Sequence, residues 1–172
     1  LAQAWLGDEK HAADVEALLR RATDIAPAHV GAWMLLGAAL HGSERPQEAI
    51  AAYRRATELE PDNAGAWSGL GAEYALIGDM EKSTAAYSRS VALKPGLPGI
   101  HLSYAHSLKS LGRQSESLRQ YREAIELKPD DASYINNYAL ALARAGKFNE
   151  AQTELEKAAL LDAPNAGRYF YN

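Results

Sequence analysis

The sequence predicts an all-α solenoid of antiparallel helix pairs, on the basis of three observations. Prolines recur at an interval of 34 residues, at Pro27, Pro61, Pro95 and Pro129. The segments that precede these prolines share one pattern, as ALLRRATDIAP and AYRRATELEP illustrate. Hydrophobic residues make up 47% of the chain, which is enough for a continuous core. A fixed period of this length is typical of stacked supersecondary units.

Residues 30–63 show how one period is built. A first helix is indicated by apolar or small residues at helical spacing, namely Trp33, Leu36, Gly37 and Leu40. The run breaks at residues 42–44, and Pro46 then fits the first turn of a second helix. Pro61 ends that helix, because proline removes a hydrogen-bond donor and clashes with the preceding turn.

The same pattern predicts four helix pairs and two incomplete ends. The expected pairs are 30–43/46–60, 64–77/80–93, 98–111/114–127 and 132–145/148–161. Glycines are expected in a left-handed conformation at the inter-helix turns, at Gly78, Gly112 and Gly146. Residues 1–29 are expected to hold the tail of a first helix, up to about Leu6, and a second helix from about His11 to Ile25.

The motif W-x-x-L-G-x-x-Y, followed by A-x-x-x-Y-x-x-A and P, resembles the tetratricopeptide repeat. Residues 64–97 match it best, through Trp67, Leu70, Gly71, Tyr74, Tyr87 and Pro95. His101 departs from the pattern, because it stands where the motif has tryptophan. The resemblance implies a right-handed superhelical solenoid that forms one domain over residues 1–172. Its parts are a partial repeat at 1–29, full repeats at 30–63, 64–97, 98–131 and 132–165, and the start of a further helix at 166–172.

In tetratricopeptide domains the first helix of each repeat lines a concave groove, and this resemblance defines the expected binding residues. We expect a peptide or protein ligand to contact Met34, His41, Ser68, Ala72, Leu102, His106, Lys109 and Asn136. Lys109 is nearly the only charged member of this set, so binding should depend only weakly on salt. We interpret Gly69 as a mid-helix glycine that opens the groove beside Ser68.

Two ligand modes known in the family do not fit this groove. The positions of the carboxylate clamp hold Met34, Ala38, Gly69, Gly99 and Ser103, without the required lysines and asparagines. The positions of the asparagine ladder found in sugar transferases hold Leu35, Gly69, Ser103 and Asn137. A single asparagine does not make a ladder.

The expected core lies between the helices of each pair. Its predicted members are Trp33, Leu36, Trp67, Leu70, Tyr87, Tyr121 and Leu142. At the end of the chain, one or two of the rings of Tyr169, Phe170 and Tyr171 are expected to pack over the groove between helices 132–145 and 148–161. What these rings leave uncovered would be an apolar patch of the kind that favours association.

Composition excludes several classes of function. The chain has no cysteine, so it has no disulfide, thiol nucleophile or cysteine metal ligand. The net charge of −4 argues against nucleic-acid binding, and no apolar run is long enough to span a membrane. His101 and His106 diverge on a helix, and we expect His101 to be a packing residue rather than a metal ligand. We therefore expect no enzyme activity, cofactor or metal.

Three functional hypotheses remain. The leading one is a non-catalytic scaffold that binds a peptide or protein segment in the concave groove. The second is a repeat arm of a larger enzyme, because residues 95–114 resemble the repeat region of bacterial tetratricopeptide sulfotransferases. The third is end-to-end self-association. The sequence begins without methionine and is expected to be an excised fragment. A targeting signal can lie outside such a fragment, so the compartment stays open, with a cytoplasmic location slightly favoured.

Overall fold

The computed structural model describes the backbone of residues 2–162 and the side chains of residues 13–162. This part of the chain forms nine α-helices and no strand. The helices are α1 Ala2–Ile25, α2 Val30–Gly42, α3 Pro46–Leu59, α4 Ala64–Leu76, α5 Met80–Leu93, α6 Pro98–Ser110, α7 Gln114–Leu127, α8 Ala132–Arg144 and α9 Phe148–Leu161. The four predicted helix pairs are confirmed, with ends that agree to within one residue.

The paired helices pack as the repeat pattern requires. Contacts are most numerous within the pairs α2–α3, α4–α5, α6–α7 and α8–α9. They divide the chain into two compact units, Leu1–Leu93 and Lys94–Asn172, which are described separately below. The fold class is thus an all-α helical-repeat solenoid, while the right-handed superhelix and the single domain stay predictions. The aromatic residues Tyr169, Phe170 and Tyr171 lie outside the described residues.

The prediction of two helices before Ile25 was wrong. The structure has one continuous helix, α1, instead of a break between Leu6 and His11. In the later repeats the break between the paired helices occurs at a residue with positive φ. The equivalent position in residues 1–29, 34 residues before Glu44, is Lys10. Lysine favours the helix over positive φ, but Glu44 adopts positive φ in the same phase, so residue type alone does not decide where the break occurs.

The turns between paired helices each require one residue in the left-handed region. Gly78, Gly112 and Gly146 have φ values of 82°, 72° and 74° in these turns, as expected. The turn between α2 and α3 has Glu44 at the same place, with φ of 57°. A residue with a Cβ atom is strained in this conformation by roughly 1–2 kcal/mol. This turn is therefore the least favourable of the four.

Replacing Glu44 by glycine is expected to raise the free energy of unfolding by about 1 kcal/mol or less. Relief of the left-handed strain is partly offset by the greater backbone entropy of unfolded glycine, about 0.5–1 kcal/mol. Urea denaturation followed by circular dichroism measures the change. The matched control is Ser43→Gly, because Ser43 has φ of −94° and gains nothing from glycine. A Glu44→Gly protein no more stable than Ser43→Gly would contradict the prediction.

The core of the first unit is centred on Tyr53 of α3. Its ring lies between two glycines, because a methyl group added at Gly37 or Gly69 would come within 2.8 Å or 2.5 Å of it. Leu36 and Leu70 are buried in the same cluster. Gly69 therefore makes room for Tyr53, and the interpretation that it opens the groove was wrong.

The other predicted core residues behave in two ways. Tyr87, Tyr121 and Leu142 are buried, as expected. Trp33 and Trp67 are only partly buried, although both pack against the cluster around Tyr53. Each indole keeps its Nε1 atom near the surface, where it donates a hydrogen bond to a backbone carbonyl.

His101 reproduces the polar contact of the tryptophans that it replaces. Trp33 and Trp67 donate from Nε1 to the carbonyls of the prolines six residues earlier, at 2.9 and 2.8 Å. His101 places Nε2 2.7 Å from the carbonyl of Pro95, also six residues earlier. Its Nδ1 lies 2.8 Å from Oε1 of Gln120. The expectation that His101 is a satisfied packing residue is confirmed.

Two serines that replace alanines of the repeat motif form hydrogen bonds between the two helices of their pair. Ser83 donates to the carbonyl oxygen of Gly71 at 2.9 Å, and Ser117 donates to that of Ala105 at 2.8 Å. The two bonds are one period apart and occupy the same place in their repeats. Because both hydroxyls are satisfied, these departures from the motif carry no unpaired buried group.

Candidate functional site

The first unit contributes half of the predicted binding residues. Met34 and His41 lie on α2, and Ser68 and Ala72 lie on α4. His41 is exposed and the other three are partly exposed, so all four are accessible. Met34 reaches α4 near its start, since its Cε atom lies 3.1 Å from where a Cβ atom on Gly65 would be. The surface is formed by small and flexible side chains of two adjacent helices.

Sequence reasoning missed a carboxylate at the edge of this surface. Glu73 of α4 is almost completely buried, and its Oε1 atom lies 2.7 Å from Nδ1 of His41. Its Oε2 atom has no hydrogen-bond partner. Burial and the charge of Glu73 raise the pKa of Tyr53. Glu73 is the one charged residue of α4, a signal that the sequence contained.

Glu73 adds no exposed charge to the expected binding surface, because its carboxyl group is almost completely buried beside His41. His41 is half-exposed and can donate a hydrogen bond to the buried carboxylate of Glu73. A buried carboxylate costs several kcal/mol unless it is paired, so the contact with His41 is important for this edge of the surface. One ring nitrogen of His41, Nδ1, thus faces the buried carboxyl group of Glu73 and not a ligand.

The second unit contributes Leu102, His106 and Lys109 of α6 and Asn136 of α8. All four are partly exposed, as a binding surface requires. The His106 ring packs edge-on against Tyr121, with ring centroids 5.5 Å apart. Its Nε2 atom is buried without a hydrogen-bond partner. This half of the surface therefore has an apolar residue, a constrained imidazole and a cation in successive turns of one helix.

The environment of His106 disfavours its charged form. Burial lowers the pKa of the imidazole, the charge of Lys109 lowers it further, and a hydrogen bond with the Asn137 side chain opposes both effects. Burial, followed by the charge of Arg144, also lowers the pKa of Lys109. His106 is consequently neutral at pH 7, and it packs as an aromatic ring.

Acidification is expected to destabilise the chain through His106. Because its pKa is lower in the folded state, the unfolded chain binds the proton first as the pH falls below the usual value of 6.5. The contribution of neutral His106 to the free energy of unfolding is complete above that pH. It is lost as the pH falls toward the pKa of His106 in the folded state. Urea denaturation at about pH 7.5 and about pH 5.5 measures the loss. A His106→Gln variant should lose less stability over this interval, and an equal loss would contradict the assignment.

The first unit also contains a pocket outside the predicted binding surface, among α3, α4 and α5. Its volume is about 500 Å³. Trp67, Leu70 and Tyr74 line it, and Arg54 and Lys82 are among its charged residues. The ammonium of Lys82 lies 5.4 Å from the centre of the Tyr74 ring. None of the predicted binding residues belongs to this pocket, which makes it a rival surface for the binding experiments.

Two features of the described part of the chain bear on other functions. No group of three or more histidine, aspartate or glutamate side chains there is arranged to hold a metal ion. No helix in the same part is long and apolar enough to cross a membrane.

Helix pairs that repeat the same contacts every 34 residues define a helical-repeat protein. The chain belongs to the tetratricopeptide repeat family, whose sequence model matches residues 6–162. No curated protein sequence is significantly similar to the chain.

Solved structures with the same fold include several tetratricopeptide proteins. A crystal structure of MamA has a TM-score of 0.83 at 20% identity, covering 88% of this chain and 89% of that one. MamA of Desulfovibrio magneticus RS-1 has a TM-score of 0.83 at 15% identity, with coverages of 89% and 86%. YrrB, described as a TPR protein with an unusual peptide-binding site, has a TM-score of 0.78 at 18% identity, with coverages of 92% and 81%. At these identities the likeness shows the fold alone.

Proposed function

We propose that this chain is a non-catalytic scaffold that binds a peptide or protein segment on the inner faces of α2, α4, α6 and α8. The contact residues are Met34, His41, Ser68, Ala72, Leu102, His106, Lys109 and Asn136. The tetratricopeptide fold typically mediates protein–protein interaction, which supports the class of function. The unusual peptide-binding site named for YrrB supports a peptide ligand by analogy.

The observation that carries the proposal is the accessibility of apolar residues on the first helices. Met34, Ala72 and Leu102 are partly exposed. Flexible and branched apolar side chains of this kind suit an extended segment with alternating apolar residues. The resemblance of residues 95–114 to sulfotransferase repeats has no support from the proteins compared above.

Selecting peptides against the chain from a random library, followed by fluorescence anisotropy of the selected peptides, tests the proposal. Leu102→Asp is expected to weaken binding at least ten-fold, because it places a charge at an apolar contact. Binding is expected to change only a few-fold with salt, since Lys109 is the main charge of the set. The matched control is Arg54→Glu, which alters the charge of the pocket on α3–α5 instead. Loss of binding with Arg54→Glu and not with Leu102→Asp would overturn the proposal.

Self-association is a second candidate, favoured by one observation on α9. Phe148, Leu160 and Leu161 of this helix are exposed, the first two by 70% and 83%. Large apolar residues on one helix are a common feature of association surfaces. Sedimentation velocity at high concentration is expected to detect dimers that a Leu160→Lys, Leu161→Lys double variant loses. A monomer at every concentration would exclude this candidate.

A further inference from the structure

The second unit contains a small pocket with a basic lining. Its volume is about 260 Å³, and it lies where the ends of α6 and α8 meet the start of α7. Its lining residues are Lys109, Gly112, Gln114, Ser117, Ala141 and Arg144. No acidic side chain is among them. Lys109 is also one of the proposed groove residues, so the pocket continues the proposed binding surface of α6.

The two cations of this pocket have no partner of opposite charge among the described residues. Other cations nearby are paired, since Arg113 lies 2.8 Å from Glu116 and Lys147 lies 2.9 Å from Glu150. Lys109 and Arg144 form no such ion pair, although they are close enough for the charge of Arg144 to lower the pKa of Lys109. Two like charges at one pocket repel each other, and a bound anion would convert the repulsion into attraction.

The surrounding helices add to this preference for an anion. α7 begins at Gln114, which lines the pocket, so the positive end of the helix dipole lies beside the pocket. The hydroxyl of Ser117 is already used, because it donates to the carbonyl of Ala105. The donors that remain are the Lys109 ammonium, the Arg144 guanidinium and the side-chain amide of Gln114, since the backbone N–H of Gln114 donates to the carbonyl of Gly112. A guanidinium has a planar fork of donors that matches a carboxylate.

We propose that this pocket binds a carboxylate of the partner segment. The proposal rests on the function proposed above, because it assigns the anion to the ligand of the groove. Leu102 and Lys109 are seven residues apart on α6, or roughly 10 Å along the helix axis. An extended segment covers this distance in about three residues. The partner is therefore a segment with an apolar side chain at Leu102 and an acidic group about three residues away.

The pocket is tested without the groove by titrating the ¹⁵N-labelled chain with succinate and following the amide signals of Gly112 and Gln114. Saturable shifts are expected in the parent protein and should be lost in Arg144→Gln. Arg119→Gln is the matched control, since Arg119 is an exposed residue of the same unit outside the pocket, and it should behave like the parent. Absence of saturable shifts in the parent would overturn the site. A titration with inorganic phosphate is the second arm. If the shifts saturate at a ten-fold lower concentration of phosphate than of succinate, the assignment of the ligand as a carboxylate is overturned.

The link to the partner is tested with three peptides. Acetyl-Leu-Ala-Ala-Glu-amide has a side-chain carboxylate, acetyl-Leu-Ala-Ala-Ala has a terminal one, and acetyl-Leu-Ala-Ala-Gln-amide has neither. At least one acidic peptide is expected to bind five-fold or more tightly than the glutamine peptide, and Lys109→Gln should remove the difference. The tighter of the two acidic peptides identifies the source of the carboxylate. Equal binding of all three peptides, each weakened by Leu102→Asp, would overturn the pocket and leave the groove function intact.

Discussion

Replacing Leu70 by alanine is expected to lower the free energy of unfolding by about 2–5 kcal/mol. Leu70 is only 4% exposed, and it packs in the cluster that contains Leu36, Leu40 and Tyr53. The substitution removes apolar contacts and leaves a cavity that neighbouring helices fill only in part. Urea denaturation followed by circular dichroism measures the change, provided that the slope with urea concentration is the same in both proteins.

The matched control for this experiment is Leu35→Ala. Leu35 lies on α2 of the same unit and is 61% exposed, so its truncation should change stability by less than about 0.5 kcal/mol. Amide hydrogen exchange locates the effect, because a stack of repeats loses stability mainly near the substitution. Exchange in α4 and α5 should accelerate more than in α8. A uniform acceleration, or stronger protection of the termini than of residues 64–95 in the parent, would contradict this prediction.

Replacing Gly69 by alanine is expected to lower the free energy of unfolding by about 1–3 kcal/mol. Alanine is the better helix former by about 1 kcal/mol, so helix propensity alone predicts the opposite sign. The added methyl group, however, would lie 2.5 Å from Cε1 of Tyr53, which no carbon–carbon contact tolerates. Either the Tyr53 ring or the backbone of α4 must move. Thermal and urea denaturation measure the loss.

Gly42 provides the matched control, because it is the last residue of α2 and no atom lies within 4 Å of an added methyl group. Gly42→Ala should leave stability unchanged or raise it by up to about 1 kcal/mol. In a Tyr53→Ala background, Gly69→Ala should lose its cost, since the clashing ring is absent. A cost that persists in that background would mean that the clash is not the cause.

The prediction of helix pairs succeeded because its signals are local. Pro61 ends a helix whatever surrounds it, and Gly78 allows a left-handed turn in any context. The repetition of such signals at one interval then defines the stack. α1 was mispredicted because the repeat pattern suggested a break at a position where the structure has a continuous helix.

The candidate site was predicted less completely. Repeat positions were enough to identify accessible residues on α2, α4, α6 and α8. They did not indicate that Glu73 would be buried next to His41, or that Arg144 would approach Lys109. These pairs come from different repeats, and their distances depend on how adjacent helices pack.

The sequence by itself determined the fold class, the positions of α2 to α9 and the family, since each follows from residue identity and spacing along the chain. Tertiary structure alone decided the roles of Gly69 and Glu73 and the hydrogen-bond partners of His101. Gly69 is required because the Tyr53 ring lies against it, and His101 replaces a tryptophan because its Nε2 reaches the carbonyl of Pro95. The buried Glu73 carboxyl group has a partner because α4 packs against α2, which holds His41. Each role depends on an atom from another segment, and a one-dimensional pattern does not contain that distance.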